Sequence, residues 1–265
     1  MTFRIIETKD GSKGLYNIEL EEVYHSFLGA QTEAIQKFVN PVKKLDYKPL
    51  SILDICYGVG YNTKTALLEL KNIESIDCVE IDKKLVEFSF NFEFNDKINK
   101  TIEKNYKNPD FITFYIDDIR KVVKKLDKKY DIIFYDGFAP YKDSCLWSEE
   151  LIFEVSKLLK KQGLITTYNH SKPVLNAFFK AKMNIGKTIY DKKTIGSVFS
   201  FDKKLLDNPL SDFELETLET KSAITYKDKN LNSTHKKIVE LRNKEVEQSK
   251  KPTLSSYKKK NIEKK

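Results

Sequence analysis

From Leu50 onward the chain alternates short apolar runs with helical stretches, and that alternation restricts it to very few folds. LSILDI (50–55), SIDCVEI (75–81), FITFYI (111–116), DIIFYD (131–136) and LITTYN (164–169) read as five buried strands. IGKTIY (185–190) reads as a sixth, and GSVFSFD (196–202) as a final antiparallel one. Between them TKTALLELK, KKLVEFSFNF, RKVVKKL, SEELIFEVSKLLK and KPVLNAFFKAKM have helical spacing; Ser148 is placed to cap the fourth of these. Strands that are apolar throughout, each followed by a helix, predict an α/β, Rossmann-like fold: a mostly parallel seven-stranded sheet with helices on both faces. Ahead of it, FRIIET (3–8) and GLYNIEL (14–20) flank the turn-rich KDGSKG and predict a β-hairpin. A helix starting near Gly29 places Ala30, Ala34, Ile35 and Phe38 on one face. Three units are expected: hairpin and helix at 1–48, the α/β domain at 49–205 and an extension at 206–265.

Composition matters chiefly through where the charge lies. The chain has 47 basic and 39 acidic residues, and residues 221–265 hold 14 of the former against 5 of the latter. All the net positive charge is therefore in the last 45 residues, which suits contact with a polyanion such as RNA or a solvated tail. Within it STHKKIVELRNKEVEQ predicts a short helix capped by Ser233 or Thr234, and SSYKKKNIEKK predicts disorder. No stretch approaches the ~18–20 apolar residues of a membrane span. The N-terminus lacks the apolar core of a signal peptide. Cys56, Cys78 and Cys145 have no paired spacing, so neither a disulfide framework nor a zinc site is expected. These features predict a soluble cytoplasmic protein without metal or membrane contact.

In parallel sheets ligands bind beyond the C-terminal strand ends, and the unusual polar residues of this chain gather there. Asp54 and the turn CYGVGYN follow the first strand. Gly58 and Gly60 allow a tight turn and close approach of a ligand, while Asn62 and Thr63 stand where a dinucleotide fold has its third glycine. A pyrophosphate needs that open helix N-terminus most, so S-adenosyl-L-methionine (SAM), which has none, suits the turn better. Glu80, ending the second strand, can accept from both ribose hydroxyls of an adenosyl group. Asp118 or Asp117, ending the third, can accept from the adenine amino group or cap the next helix. At the fourth strand end lies YDGFAPY (135–141). Asp136 there can hold the N–H groups of an alkylamine and relay its proton to water, and beside a sulfonium it is expected to stay ionised. Phe138, Tyr141 and Trp147 can enclose a flat ring, or Trp147 can simply wall the sheet end.

The combination of CYGVGYN, CVEID, YIDDI, YDGFAPYKDSCLWSEEL and LLKKQGLITTYN resembles the methyltransferase part of the MnmC family, over residues 16–200. YHSFLGAQTEAIQKFV is similar to the stretch preceding the sheet in that family. The resemblance implies methyl transfer from SAM to the aminomethyl nitrogen on the 5-position of the wobble (2-thio)uridine in the tRNA anticodon loop. It assigns SAM to Gly58, Gly60 and Glu80, the adenine to Asp118 and the amine to Asp136; Asp54, Asn62 and Asp117, which stand at the same strand ends, are the further SAM candidates. Tyr24, Ser26 and Glu33 match the upstream motif at the entrance, and Pro140 belongs to the fourth-strand loop that meets the substrate. No flavin oxidase region accompanies these motifs, which implies a stand-alone methyltransferase. NHSKPV lacks the paired arginines of the family, leaving His170 and Lys172 for substrate contact, and YDKKTIG keeps Lys192 and Lys193. Two other readings are an aminopropyl transferase resembling polyamine synthases and a non-catalytic RNA-binding protein of the same fold.

Overall fold

The computed structural model describes residues 3–19, 21–24, 29–92 and 94–262, with side chains to residue 260; Ser26, expected at the entrance, lies outside the described residues. The N-terminal hairpin is present as β1 (Phe3–Glu7) and β2 (Lys13–Asn17), widened by the two-residue β3 (Glu22–Val23). Asp10 ties this hairpin to the following helix, because its carboxylate accepts from Ser12 and from both the N–H and hydroxyl of Thr32. Helix α1 (Ala30–Glu33) opens into a wider π turn at Ala34–Val39 and then a 3₁₀ turn at Asn40–Leu45. Pro41, which has no N–H to continue an α ladder, marks the second change.

The large sheet follows. Its parallel part comprises β4 (Leu50–Ile55), β5 (Ile73–Glu80), β6 (Ile112–Ile116), β7 (Tyr130–Tyr135) and β8 (Leu159–Thr167). β9 (Asn184–Tyr190) and β10 (Lys193–Ser200) complete it, giving seven strands in the order β6-β5-β4-β7-β8-β10-β9. β10 runs antiparallel to both neighbours, as its position in the sequence suggests. The central strands β4 and β7 are buried along their whole length, as expected of a sheet covered on both faces. Strand order reverses at β4, between β5 and β7, so the crevice opens above the ends of β4 and β7.

The covering helices are α2 (Tyr61–Glu69), α3 (Lys83–Ser89), α4 (Asp96–Lys107), α5 (Ile119–Val122), α6 (Glu149–Lys157) and α7 (Lys172–Lys180). Ser148 caps α6 by accepting from Leu151 N–H. Helix α4 has no counterpart in the sequence reading. It buries only Ile98 and Ile102 among its apolar residues and depends on an Asn95 cap. β8 also begins earlier than expected, because Leu159 pairs with Tyr130 instead of continuing α6.

The C-terminal segment departs most from expectation. It forms α8 (Asp212–Glu216), α9 (His235–Gln248, capped by Thr234) and α10 (Leu254–Ile262). Leu218, Ala223, Leu231 and Ile238 join Trp147, Leu151 and Phe178 in one core cluster, so part of this segment packs against the sheet and its helices. The stretch expected to be disordered is helical through Ile262 and docks by Tyr257, whose hydroxyl donates to Glu216 at 2.6 Å while its ring meets Phe213. Among the described residues no helix is long and apolar enough to cross a membrane.

Candidate active site

A cavity of about 490 Å³ lies at the reversal point, within the range of small-molecule sites. Its floor is built by the turn after β4. Cys56 has a φ of 66°, a left-handed conformation that non-glycine residues rarely adopt, and the N–H groups of Cys56 and Tyr57 both donate to the Val79 carbonyl. Gly60, at φ 82°, cannot be replaced without strain, since a Cβ there would lie 2.3 Å from the Tyr57 hydroxyl.

At one end of the cavity, Glu80 is 8% exposed and held by three backbone donors: Gly58 N–H at 2.9 Å, Ile81 N–H at 2.8 Å and Asp82 N–H at 3.0 Å. Burial raises its pKa against the lowering effect of those bonds. Two lone pairs per oxygen leave one acceptor position on the Oε2 that faces Gly58. Val79, Ile81, Ile119 and Leu146 supply apolar walls beside it. Asp118 caps α5 through Arg120 N–H and also pairs with the Arg120 guanidinium at 2.7 Å. Asp117 accepts from Asp118 N–H and Lys121, and the Lys121 bond lowers its pKa.

At the other end, Asp136 accepts from Asn62 Nδ2 at 2.8 Å. Burial pushes its pKa up to about 7; the Asn62 bond opposes that rise, while Glu33 adds to it. Glu33 pairs with Lys37 one helical turn on, and both line the cavity from the α1 and π turns. Lys37 Nζ also lies 5.9 Å from the Tyr168 ring centroid, and Tyr168 donates to the Gly137 carbonyl. Tyr24 roofs the centre: its ring meets Phe138 edge-on at 5.0 Å and lies 3.7 Å from where a Gly58 Cβ would stand. At the rim, the exposed Tyr141 donates to Glu22 at 3.0 Å and joins the small sheet to the β7 loop.

Gly58, Glu80, Asp117, Asp118, Asp136, Tyr24, Phe138 and Tyr141 therefore converge on one cavity. Other expected residues shape it from behind. Asp54 is fully buried, accepts from Thr63 Oγ1 and has its other oxygen unpartnered; burial raises its pKa to about 7. Asn62 donates to Asp136. Pro140 sits in the turn closed by Lys142 N–H to Ala139 O, where its fixed φ suits the bend. Trp147 is completely buried and donates to the Phe138 carbonyl at 2.6 Å, so it supports the loop and encloses no ligand. His170 is exposed and Lys172 donates to Thr217; neither lines the cavity. Lys37, Tyr168 and Arg120 went unread in the sequence. Only the i,i+4 spacing of Lys37 from Glu33 signals its place.

Among the described residues that line the cavity, seven charged ones are acidic and two, Lys37 and Arg120, are basic. That field opposes a diphosphate and favours a cationic ligand. The residues present fit SAM: a glycine turn, an acid with an open acceptor position, apolar walls for a purine, and negative charge around a sulfonium and an ammonium group. A family described as S-adenosyl-L-methionine-dependent methyltransferase matches residues 81–195. The chain is 30% identical over 260 residues to an uncharacterized protein of Methanocaldococcus jannaschii, covering 90% of this chain and 71% of that one. It is 25% identical over 194 residues to the tRNA 5-methylaminomethyl-2-thiouridine biosynthesis bifunctional protein MnmC of Campylobacter hominis, covering 66% of this chain but 29% of that protein. The crystal structure of MNMC2 from Aquifex aeolicus superposes with a TM-score of 0.81 at 25% identity, covering 94% of this chain and 86% of that one. Fold and cavity define a SAM-dependent methyltransferase. More narrowly, the chain is similar to MNMC2 over most of its length and to MnmC over about two thirds of it.

Proposed function

We propose that the protein methylates the aminomethyl nitrogen on the 5-position of a wobble (2-thio)uridine in tRNA. The observation that carries the reading is Asp136, held by Asn62 at the end of an acidic cavity with a pKa of about 7. Bound SAM supplies the methyl group from its sulfonium. Glu80 would hold the ribose, Gly58 would let the donor approach the turn, and Asp118 would meet the adenine edge with Arg120 orienting it. Asp136 would hold the acceptor amine, whose ordinary pKa near ~10 leaves it protonated at neutral pH. One proton must leave that nitrogen before its lone pair can form a bond to carbon. A carboxylate with a value near neutrality suits that transfer better than an ordinary aspartate. Glu33 would add negative charge that attracts the ammonium form, and Lys37 would limit it. Tyr24 and Phe138 would exclude water above the reacting atoms.

The tRNA substrate draws support from the names of the relatives and from the basic C-terminal segment. A second reading, aminopropyl transfer to a polyamine from decarboxylated SAM, is favoured by one feature: Glu22, Glu33 and Asp136 share the acceptor end. Calorimetry with each donor separates the two. The methyltransferase reading expects SAM to bind at least about tenfold tighter than decarboxylated SAM. Preference for the decarboxylated donor, with transfer of label to putrescine, would replace it.

A further inference from the structure

We infer that residues 228–235, outside the segment matched to the methyltransferase family, brace both walls of the donor end of the cavity, and that His235 is a positioning residue for the turn at Ser144–Trp147. One wall is the loop after β7, where Asp143, Cys145 and Leu146 line the cavity. Its backbone is held by His235, whose Nδ1 accepts from Ser144 N–H at 2.9 Å and lies 3.0 Å from Ser144 Oγ. A backbone N–H can only donate, so this Nδ1 presents a lone pair and the ring proton sits on Nε2. Cys145 Sγ adds a contact of 3.6 Å to the Ser233 carbonyl, and Asp143 accepts from Cys145 N–H at 3.1 Å.

The opposite wall is the end of β6, where Asp118 and Arg120 line the cavity. Arg120 Nη1 donates to the Ser233 carbonyl at 2.8 Å and to the buried Asp228 at 3.1 Å, while Nε and Nη2 hold Asp118. Ser233 is thus shared by both walls. The segment is itself rigid, because Asp228 Oδ1 accepts from Asn232 N–H and Ser233 N–H and its other oxygen takes Arg120. Leu231 within it and Ile238 just beyond it anchor it in the core. A filler of the core needs those two side chains. It does not need an acceptor nitrogen aimed at a backbone donor, nor a guanidinium divided between two carboxylates.

The test uses the full chain with SAM itself as ligand, so it reads donor binding whatever the methyl acceptor proves to be. In His235→Ala the Ser144 N–H loses its acceptor, and SAM affinity by calorimetry should fall by about five- to tenfold. His235→Asn places Oδ1 where Nδ1 stood and should recover affinity to within about twofold of wild type. If the alanine variant also melts earlier, the asparagine variant decides: recovered affinity supports the positioning role. Unchanged SAM affinity in His235→Ala, or equal losses in both variants, overturns it.

Discussion

Replacing Asp136 by Asn should trade activity for stability, because the same burial that tunes the acid also makes its charge costly. The pKa of Asp136 rises from its ordinary 3.8 to about 7 on folding. At 1.36 kcal/mol per pKa unit the full shift corresponds to about 4 kcal/mol. That is an upper bound on the cost of keeping this group ionised, because Asp136 lines the cavity and is only partly buried. The cost is absent below the unfolded-state value, grows between about pH 4 and pH 7, and is complete above that. Asparagine has nearly the same shape, is always neutral and can still accept from Asn62 Nδ2 through its amide oxygen. Asp136→Asn should therefore gain about 2–4 kcal/mol in denaturant unfolding near pH 8 and almost nothing near pH 4. Methyl transfer from labelled SAM should fall by about 10²–10⁴-fold, the usual contribution of a positioned general base. SAM affinity should change by less than about threefold. In wild type, kcat/KM should rise with pH through about 7 in the unbound enzyme. A variant no more stable at high pH, or one keeping more than about a tenth of its activity, would refute the argument. Lost SAM binding in a folded variant would move Asp136 to the donor side.

Three further outcomes follow from the same structure. Trp147→Phe removes the donor to the Phe138 carbonyl and part of a fully buried ring, so urea titration should show a loss of about 2–3 kcal/mol with donor binding intact; a pure acceptor-binding defect would return Trp147 to the cavity. Lys64, buried in α2 with its ammonium on the Ser89 carbonyl, has its pKa lowered to about 7 by burial, so its cost is complete below that value and fades as pH rises towards 10.5. Lys64→Met should gain about 1–3 kcal/mol near pH 6 and lose that advantage near pH 10, read by thermal melting at both; a loss at the lower value would show that the Ser89 bond outweighs desolvation. Deleting residues 254–265 removes Lys258, Lys259, Lys260, Lys264 and Lys265 while leaving the core segment intact, and should weaken tRNA binding most at low salt and make its salt dependence shallower; unchanged filter-binding affinity would leave these residues a solvated terminus.

The sheet was legible because apolar runs such as DIIF and LSIL can only be buried between helices, and strand ends then follow from the polar residues that terminate them. Asp136, Glu80 and Gly58 share a cavity because each stands at such an end. What the sequence concealed depended on contacts distant along the chain. Trp147 reads as well as a ligand wall as a core residue until Tyr135 and Tyr168 are seen against its ring. Asn62 looks like part of a cofactor turn, and only the register of β4 against β7 sets it beside Asp136. Helix α4 was hidden by its polarity, with two buried isoleucines in twelve residues. The lysines that advertise the C-terminal segment as a tail mask Leu218, Ala223 and Ile238, whose spacing is too irregular to signal a core.

The central claim is tested most directly by digesting tRNA after incubation with the protein and SAM and identifying the nucleosides by mass. On tRNA carrying 5-aminomethyl-2-thiouridine, the account predicts conversion of that nucleoside to its methylaminomethyl form, at a rate at least about a hundredfold lower in the Asp136→Asn control. An unmodified aminomethyl nucleoside, recovered from verified substrate with SAM-binding protein present, would contradict it.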